Sequence, residues 1–198
     1  MLPIGNYFYQ IRHHGELIAF EDSRFDTALI VASRRSVDGL SRHQTEAALD
    51  LEHRVCRVTL SYSSSLFTRK ASYEAVEDNF RGRISGLAGR NEIVVKLGRF
   101  REIDAAGFLI FRALIIGHVR QRGDERWTGR VAVIDPNTLA GASVKQNCAR
   151  RDSSGHSWIY EPRMGDTEQI ELDEAGRIVR QRGNRGFTAE LMTAGTCC

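Results

Sequence analysis

The chain has 198 residues, 41% hydrophobic and 27% charged, which suits one full domain with its own core. A net charge of +3, carried by scattered arginines rather than a basic helix face, argues against a nucleic-acid footprint. No window approaches about 18 uncharged apolar residues, which argues against a membrane span.

The opening MLPIGNYFYQIRHHGE lacks the basic-then-apolar order of a signal peptide. Cys56, Cys148, Cys197 and Cys198 show neither metal spacing nor a disulfide framework. The expectation is a cytoplasmic protein with free thiols, and residues 193–198, which include Cys197 and Cys198, read as a tail after one domain over 1–192.

Period-two alternation dominates from the start. Strands are predicted near Tyr7–His13, Glu16–Glu21, Thr27–Arg34 and Ser41–Leu49. From Val55 to Tyr62 the even positions Cys56, Val58, Leu60 and Tyr62 oppose polar Arg57, Thr59 and Ser61. From Phe67 to Ala75 the odd positions share a face that includes Arg69 and Tyr73. The pattern returns over Trp127–Ile134 and Ala142–Cys148, and Thr167–Leu172 with Arg177–Arg182 reads as a hairpin around Asp-Glu-Ala-Gly. Turn signals such as His14-Gly15, Val37-Asp38-Gly39 and Asp135-Pro136-Asn137 cut the runs apart. This rhythm predicts a mainly-β, single-domain antiparallel β-roll or barrel of about a dozen strands, with a central ligand-sized cavity and at most one or two short helices.

The stretch KLGRFREIDAAGFLIFRALIIGHVRQR, Lys96 to Arg122, differs from the rest. Its spacing predicts a short helix or turn near 104–111, with Asp104 as N-cap, and then a strand. One long central strand is the alternative. On a strand, Arg112 and His118 fall on one face with Ile110, Leu114 and Ile116. A charge in an apolar run must be paired, solvated or used.

Cofactor motifs are absent from the sequence. His13, His14 and Glu16 alternate across a strand and do not share one ion easily. Gly82, Gly86 and Gly89 make no phosphate loop, and no G-x-S-x-G occurs. The expectation is no metal and no cofactor. What remains is a set of polar groups on apolar faces. His118 is the candidate base, with an ordinary pKa of about 6.5. Tyr160 and Tyr62 are candidate donors to an oxyanion. Arg69, Tyr73, Arg112, Gln146 and Trp158 are candidate substrate contacts. Arg101, in the charged cluster Arg99, Arg101, Glu102 and Asp104, would form a rim that captures an acidic group.

Three segments carry a family resemblance: LDLEHRVCRVTLSY, EIDAAGFLIFRALIIG and IELDEAGRIVRQRG. Spread loosely over Ser33 to Gly183, they resemble the bacterial spiral β-roll proteins, the LolA-like group that includes the putative glycolipid-binding family. The resemblance implies a half-open roll around a hydrophobic cavity and transfers no catalytic residue. The arginine density of Lys96–Arg122 departs from it.

Two function classes follow, both with a small-molecule partner, without nucleic acid, and with a homodimer left open. One is a cofactor-independent lyase or isomerase acting on a bulky hydrophobic, partly anionic and aromatic compound. The other is a non-catalytic carrier of an amphipathic or lipid-like ligand. A partner-binding module with a filled core is the third reading.

Overall fold

The computed structural model describes residues 3–86, 89–97 and 101–192. Strands β1 (Gly5–His13), β2 (Glu16–Phe25), β3 (Leu29–Ser36), β4 (Ser41–Leu49), β5 (Val55–Ser64), β6 (Thr68–Val76), β7 (Asn79–Gly86) and β8 (Gly89–Lys96) form one meander. After β9 (Ile103–Ala105) and the helix α1 (Leu109–Gln121), a second meander follows. It comprises β10 (Arg126–Ile134), β11 (Gly141–Arg150), β12 (Ser157–Arg163), β13 (Asp166–Leu172), β14 (Ile178–Gly183) and β15 (Phe187–Leu191).

The fifteen strands of the described residues join in one sheet, β8-β7-β6-β5-β4-β3-β2-β1-β15-β14-β13-β12-β11-β10-β9. The mainly-β expectation holds, but the barrel does not close by hydrogen bonds: β8 and β9 are its two edges. The sheet rolls far enough that Tyr73 on β6 donates to Leu139 O between β10 and β11, at 2.6 Å. Nearby, Arg69 donates to Asn137 O at 3.0 Å.

Antiparallel pairing puts alternate turns at the same end of the roll. Val37 N donates to Ile18 O, and His13 pairs with Phe187. The β1–β2, β3–β4, β5–β6, β10–β11, β12–β13 and β14–β15 turns therefore share one end, here called the upper end. Strand β9 runs parallel to β10, with Ala105 opposite Ile134. A parallel pair needs a crossover, and α1 supplies it.

The helix corrects the strand expectation for 113–121. It runs unbroken from Leu109 to Gln121, and Leu109, Ile110, Phe111, Ala113, Leu114, Ile115, Ile116 and Val119 are buried. A helix apolar on nearly every side belongs inside a core, and here it joins one hydrophobic cluster with side chains from both meanders. The middle of the roll is filled by α1, so the expected central cavity is displaced toward one end. Asp104 is not the N-cap either. That position is Phe108, which offers no side-chain bond. The Leu109 N–H is taken instead by the Glu21 carboxylate of β2 at 2.9 Å.

Candidate functional site

Glu21 lies on the inward face of β2 with Ala19, Ser23 and Phe25, and it is fully buried. Its cross-strand partner on β3 is Arg34. The guanidinium donates to Glu21 Oε2 at 2.5 and 3.1 Å and to Gly107 O at 2.7 Å. The Arg34 guanidinium also lies 4.8 Å from the centre of the Phe108 ring. One buried ion pair thus holds the segment that starts the helix and fixes where α1 enters the roll.

The first turn of α1 then aims Arg112 at the second meander. Arg112 Nη1 donates to Glu168 Oε2 at 2.6 Å, and Nε lies 3.7 Å from Asp104 Oδ2. Its guanidinium sits 5.8 Å from the Tyr160 ring centroid. Tyr160, fully buried, donates to Gln146 Oε1, and Gln146 Nε2 donates to Pro162 O at 3.2 Å. Burial opposes the charge on Arg112, but Glu168 and Asp104 outweigh it and hold the guanidinium protonated. Burial also raises the Glu168 carboxyl above its ordinary range, with Arg112 pulling the other way. The Tyr160 hydroxyl is pushed well above its usual value, chiefly by burial and next by Asp104.

This cluster faces a cavity of about 340 Å³ at the upper end. Apolar walls come from Ile11, Ile18, Leu109, Ile134, Pro162 and Phe187. The polar part includes Arg34, Asp104, Arg112, Gln146, Glu168 and Gln181, with Arg163 and Asp166 beside them. Four buried atoms of the lining residues make no hydrogen bond among the described residues: Asp104 Oδ1, Asp166 Oδ1, Gln181 Oε1 and Arg112 Nε. Three are acceptors and one is a donor, and of the acceptors Asp166 Oδ1 has an ion-pair partner, Arg185 Nε at 2.6 Å. Orphaned buried polar atoms are uncommon, and beside a cavity they mark where a ligand or water completes the set.

Of the residues singled out from sequence, Arg112, Gln146 and Tyr160 come together here. The others do not. Six helical residues turn about 240°, so Arg112 and His118 face different sides, and the shared face expected for them is lost. His118 Nδ1 sits 3.2 Å from the Glu102 carboxylate, which Arg122 also approaches at 3.8 Å. His118, Tyr62 and Tyr160 are not among the residues lining the cavity. Tyr62 stacks on His43 at 4.7 Å and meets Phe67 edge-on. Tyr73 is buried on Leu139 O, and Trp158 donates to Gly155 O at 2.9 Å, near the opposite end. Arg69 lies over the Phe67 ring on the upper rim. Arg101 stands ahead of β9 with left-handed backbone, φ 54°, and Arg99 lies outside the described residues. The expected charged rim of 99–104 is not a rim, because Glu102 and Asp104 are buried.

Glu21, Arg34, Glu168 and Gln181 were missed. The first two carried a signal, since both are charges on the inward face of alternating strands, directly opposite across a hairpin. Glu168 and Gln181 carried less, because their strands alternate weakly. Among the described residues no group of three or more His, Cys, Asp or Glu side chains could hold a metal ion, and no helix is long and apolar enough to cross a membrane.

No protein-family model matches the chain, and no curated protein does. Among solved structures, a DUF1089 family protein from Pseudomonas aeruginosa is similar. The TM-score is 0.62 at 19% sequence identity, over 82% of this chain and 88% of the other. The likeness is one of fold.

Proposed function

We propose that the protein binds an amphipathic small molecule at the upper end of the roll, with a hydroxyl-bearing head against Asp104, Gln181 and Arg112. The apolar part of the ligand lies along Ile11, Ile18, Ile134 and Phe187. The observation that carries this reading is the pair of buried, unpartnered acceptors, Asp104 Oδ1 and Gln181 Oε1, beside a largely apolar cavity. Glu21 engages Arg34, and Glu168 and Asp104 engage Arg112, which disfavours an anionic head against either arginine. A hydroxyl donates to the acceptors and accepts from Arg112 Nε. About 340 Å³ suits one small ring or a short chain rather than a whole lipid.

The test is calorimetric titration with octyl glucoside below its micelle concentration, beside octanoate. The glucoside binds more tightly, and Gln181→Leu weakens it about ten-fold through loss of one hydrogen bond. Equal affinity for both compounds, or unchanged binding in Gln181→Leu, refutes the reading.

A catalytic second reading has one observation in its favour: Glu168, a carboxyl of raised proton affinity, faces the same cavity. On that reading Glu168, rather than His118, moves the proton of a lyase or isomerase reaction. Recovery of a bound host metabolite unchanged from wild type and from Glu168→Gln alike counts against catalysis. Conversion by wild type alone supports it.

A further inference from the structure

The two ends of the roll differ in a way the cavity alone does not require. At the upper end, six large apolar side chains stand exposed on turns and strand ends: Ile18, Val37, Leu40, Leu66, Met164 and Phe187. Met164 is 102% exposed and Leu66 85%. Val37 and Leu40 share the β3–β4 turn beside Ile18, Leu66 and Met164 stand on turns of their own, and Ile18 and Phe187 line the cavity mouth. Beside these tips lie Arg12, Arg35, Arg42, Arg69 and Arg163 near strand ends and Arg185 in the β14–β15 turn. Against these six arginines, the described turns and first strand residues at this end hold four carboxylates, Glu16, Asp38, Asp135 and Asp166, and Asp166 pairs with Arg185 at 2.6 Å. Asp135 is committed to its own turn, accepting from the N–H groups of Asn137 and Thr138. The opposite end carries more acids in its turns, among them Asp26, Asp50, Glu52 and Asp173, which pair with Arg24, Arg54 and Arg177, and Glu77 and Asp78.

We infer that the upper end docks on a lipid surface containing anionic headgroups, and that the cavity mouth thereby faces the membrane. With Leu66 and Met164 on turns apart from the Ile18, Val37 and Leu40 group, the tips do not make the one contiguous, shape-matched patch that a protein partner or a second copy buries. They suit a fluid interface, where each side chain inserts independently while cationic groups behind it meet the headgroups. The acidic opposite end is repelled by the same surface, so the charge distribution orients the molecule before the tips insert. The docking is peripheral and uses no spanning segment. It gives the ligand reading a source and a destination, but its test does not depend on that reading.

The test is cosedimentation of the full chain with vesicles of phosphatidylcholine alone or mixed with phosphatidylglycerol. The wild type binds the mixed vesicles and dissociates as salt rises. Leu40→Ser, Leu66→Ser and Met164→Ser each lower partitioning on the order of ten-fold. Leu51→Ser, at the opposite end and 101% exposed, leaves it unchanged. These are exposed positions, so circular dichroism of the variants stays that of the wild type. Absence of wild-type binding to either vesicle, or an equal loss in Leu51→Ser, overturns the inference. Self-association in sedimentation without vesicle binding overturns it in favour of a homodimer contact. Octyl glucoside binding in vesicle-free buffer is read separately. Its loss with docking intact sinks only the cavity reading, and the converse sinks only this one.

Discussion

Replacing Glu21 with alanine tests the central claim about how the helix is held. The substitution removes three connections at once: the ion pair to Arg34, the acceptor for the Leu109 N–H, and the Ser23 hydroxyl contact at 3.3 Å. Breaking a buried pair from one side costs about 3–5 kcal/mol, because the partner's charge is stranded. Arg34 is not fully stranded, since its side chain is 20% exposed and keeps the Gly107 carbonyl. That discounts the pair to roughly 2–3 kcal/mol. Loss of the helix-start acceptor adds about 1 kcal/mol. The expected total is about 3–4 kcal/mol, a large share of a typical domain's stability. Urea unfolding followed by circular dichroism reads it as a lower midpoint with an unchanged slope. In Glu21→Ala with Arg34→Ala the loss is smaller than the sum of the two, because the second change removes the stranded charge. A Glu21→Ala cost under about 1 kcal/mol, or strict additivity in the double variant, refutes the reasoning.

Three further outcomes are expected. His43 has its pKa lowered to about 4, by burial first and by the charge of Arg34 next. The unfolded chain therefore binds a proton that the folded chain refuses between pH 6.5 and about 4, and stability falls as pH drops through that window. The full linkage is up to about 3 kcal/mol, roughly halved for partial exposure, and His43→Phe flattens this part of the stability–pH curve. At Gly82 an added Cβ falls 2.2 Å from Cε1 of Tyr73, whose hydroxyl is tied to Leu139 O. Gly82→Ala should then cost about 1–3 kcal/mol in urea unfolding, and pairing it with Tyr73→Leu should recover part of that. Burial pushes the Cys148 thiol up to about 12, with Arg122 opposing. Alkylation at neutral pH with peptide mapping should leave Cys148 unmodified until the protein is unfolded.

The strands were legible because most have one buried and one wet face. Ser41–Leu49 alternates cleanly, and its bounds match β4. The helix was illegible for the opposite reason. With apolar contacts on nearly all sides it has no wet face, and Ile115-Ile116 favours strand by local preference, so periodicity cannot separate the two. Tertiary burial decided the matter. Arg112 was legible as a charge in need of a partner, but its partners Glu168 and Asp104 lie on strands 56 residues on and 8 residues back, a pairing fixed by the roll rather than by local spacing. His118 was misplaced along with the helix.

The order of the sheet also bears on how the chain gets there. Every pairing joins strands consecutive in sequence except at one seam, where β1 meets β15 over Tyr9–His13 and Phe187–Leu191, and the consecutive β8 and β9 are left as the edges. Each meander can zip from its own hairpins with short loops to close. The seam joins the two extremities of the domain and carries a closure entropy that grows only as the logarithm of the enclosed length. The pairing pattern is thus two local assemblies and one long-range fastening. That fastening brings Phe187 beside His13, next to Ile18 on the rim, and so completes the mouth of the cavity.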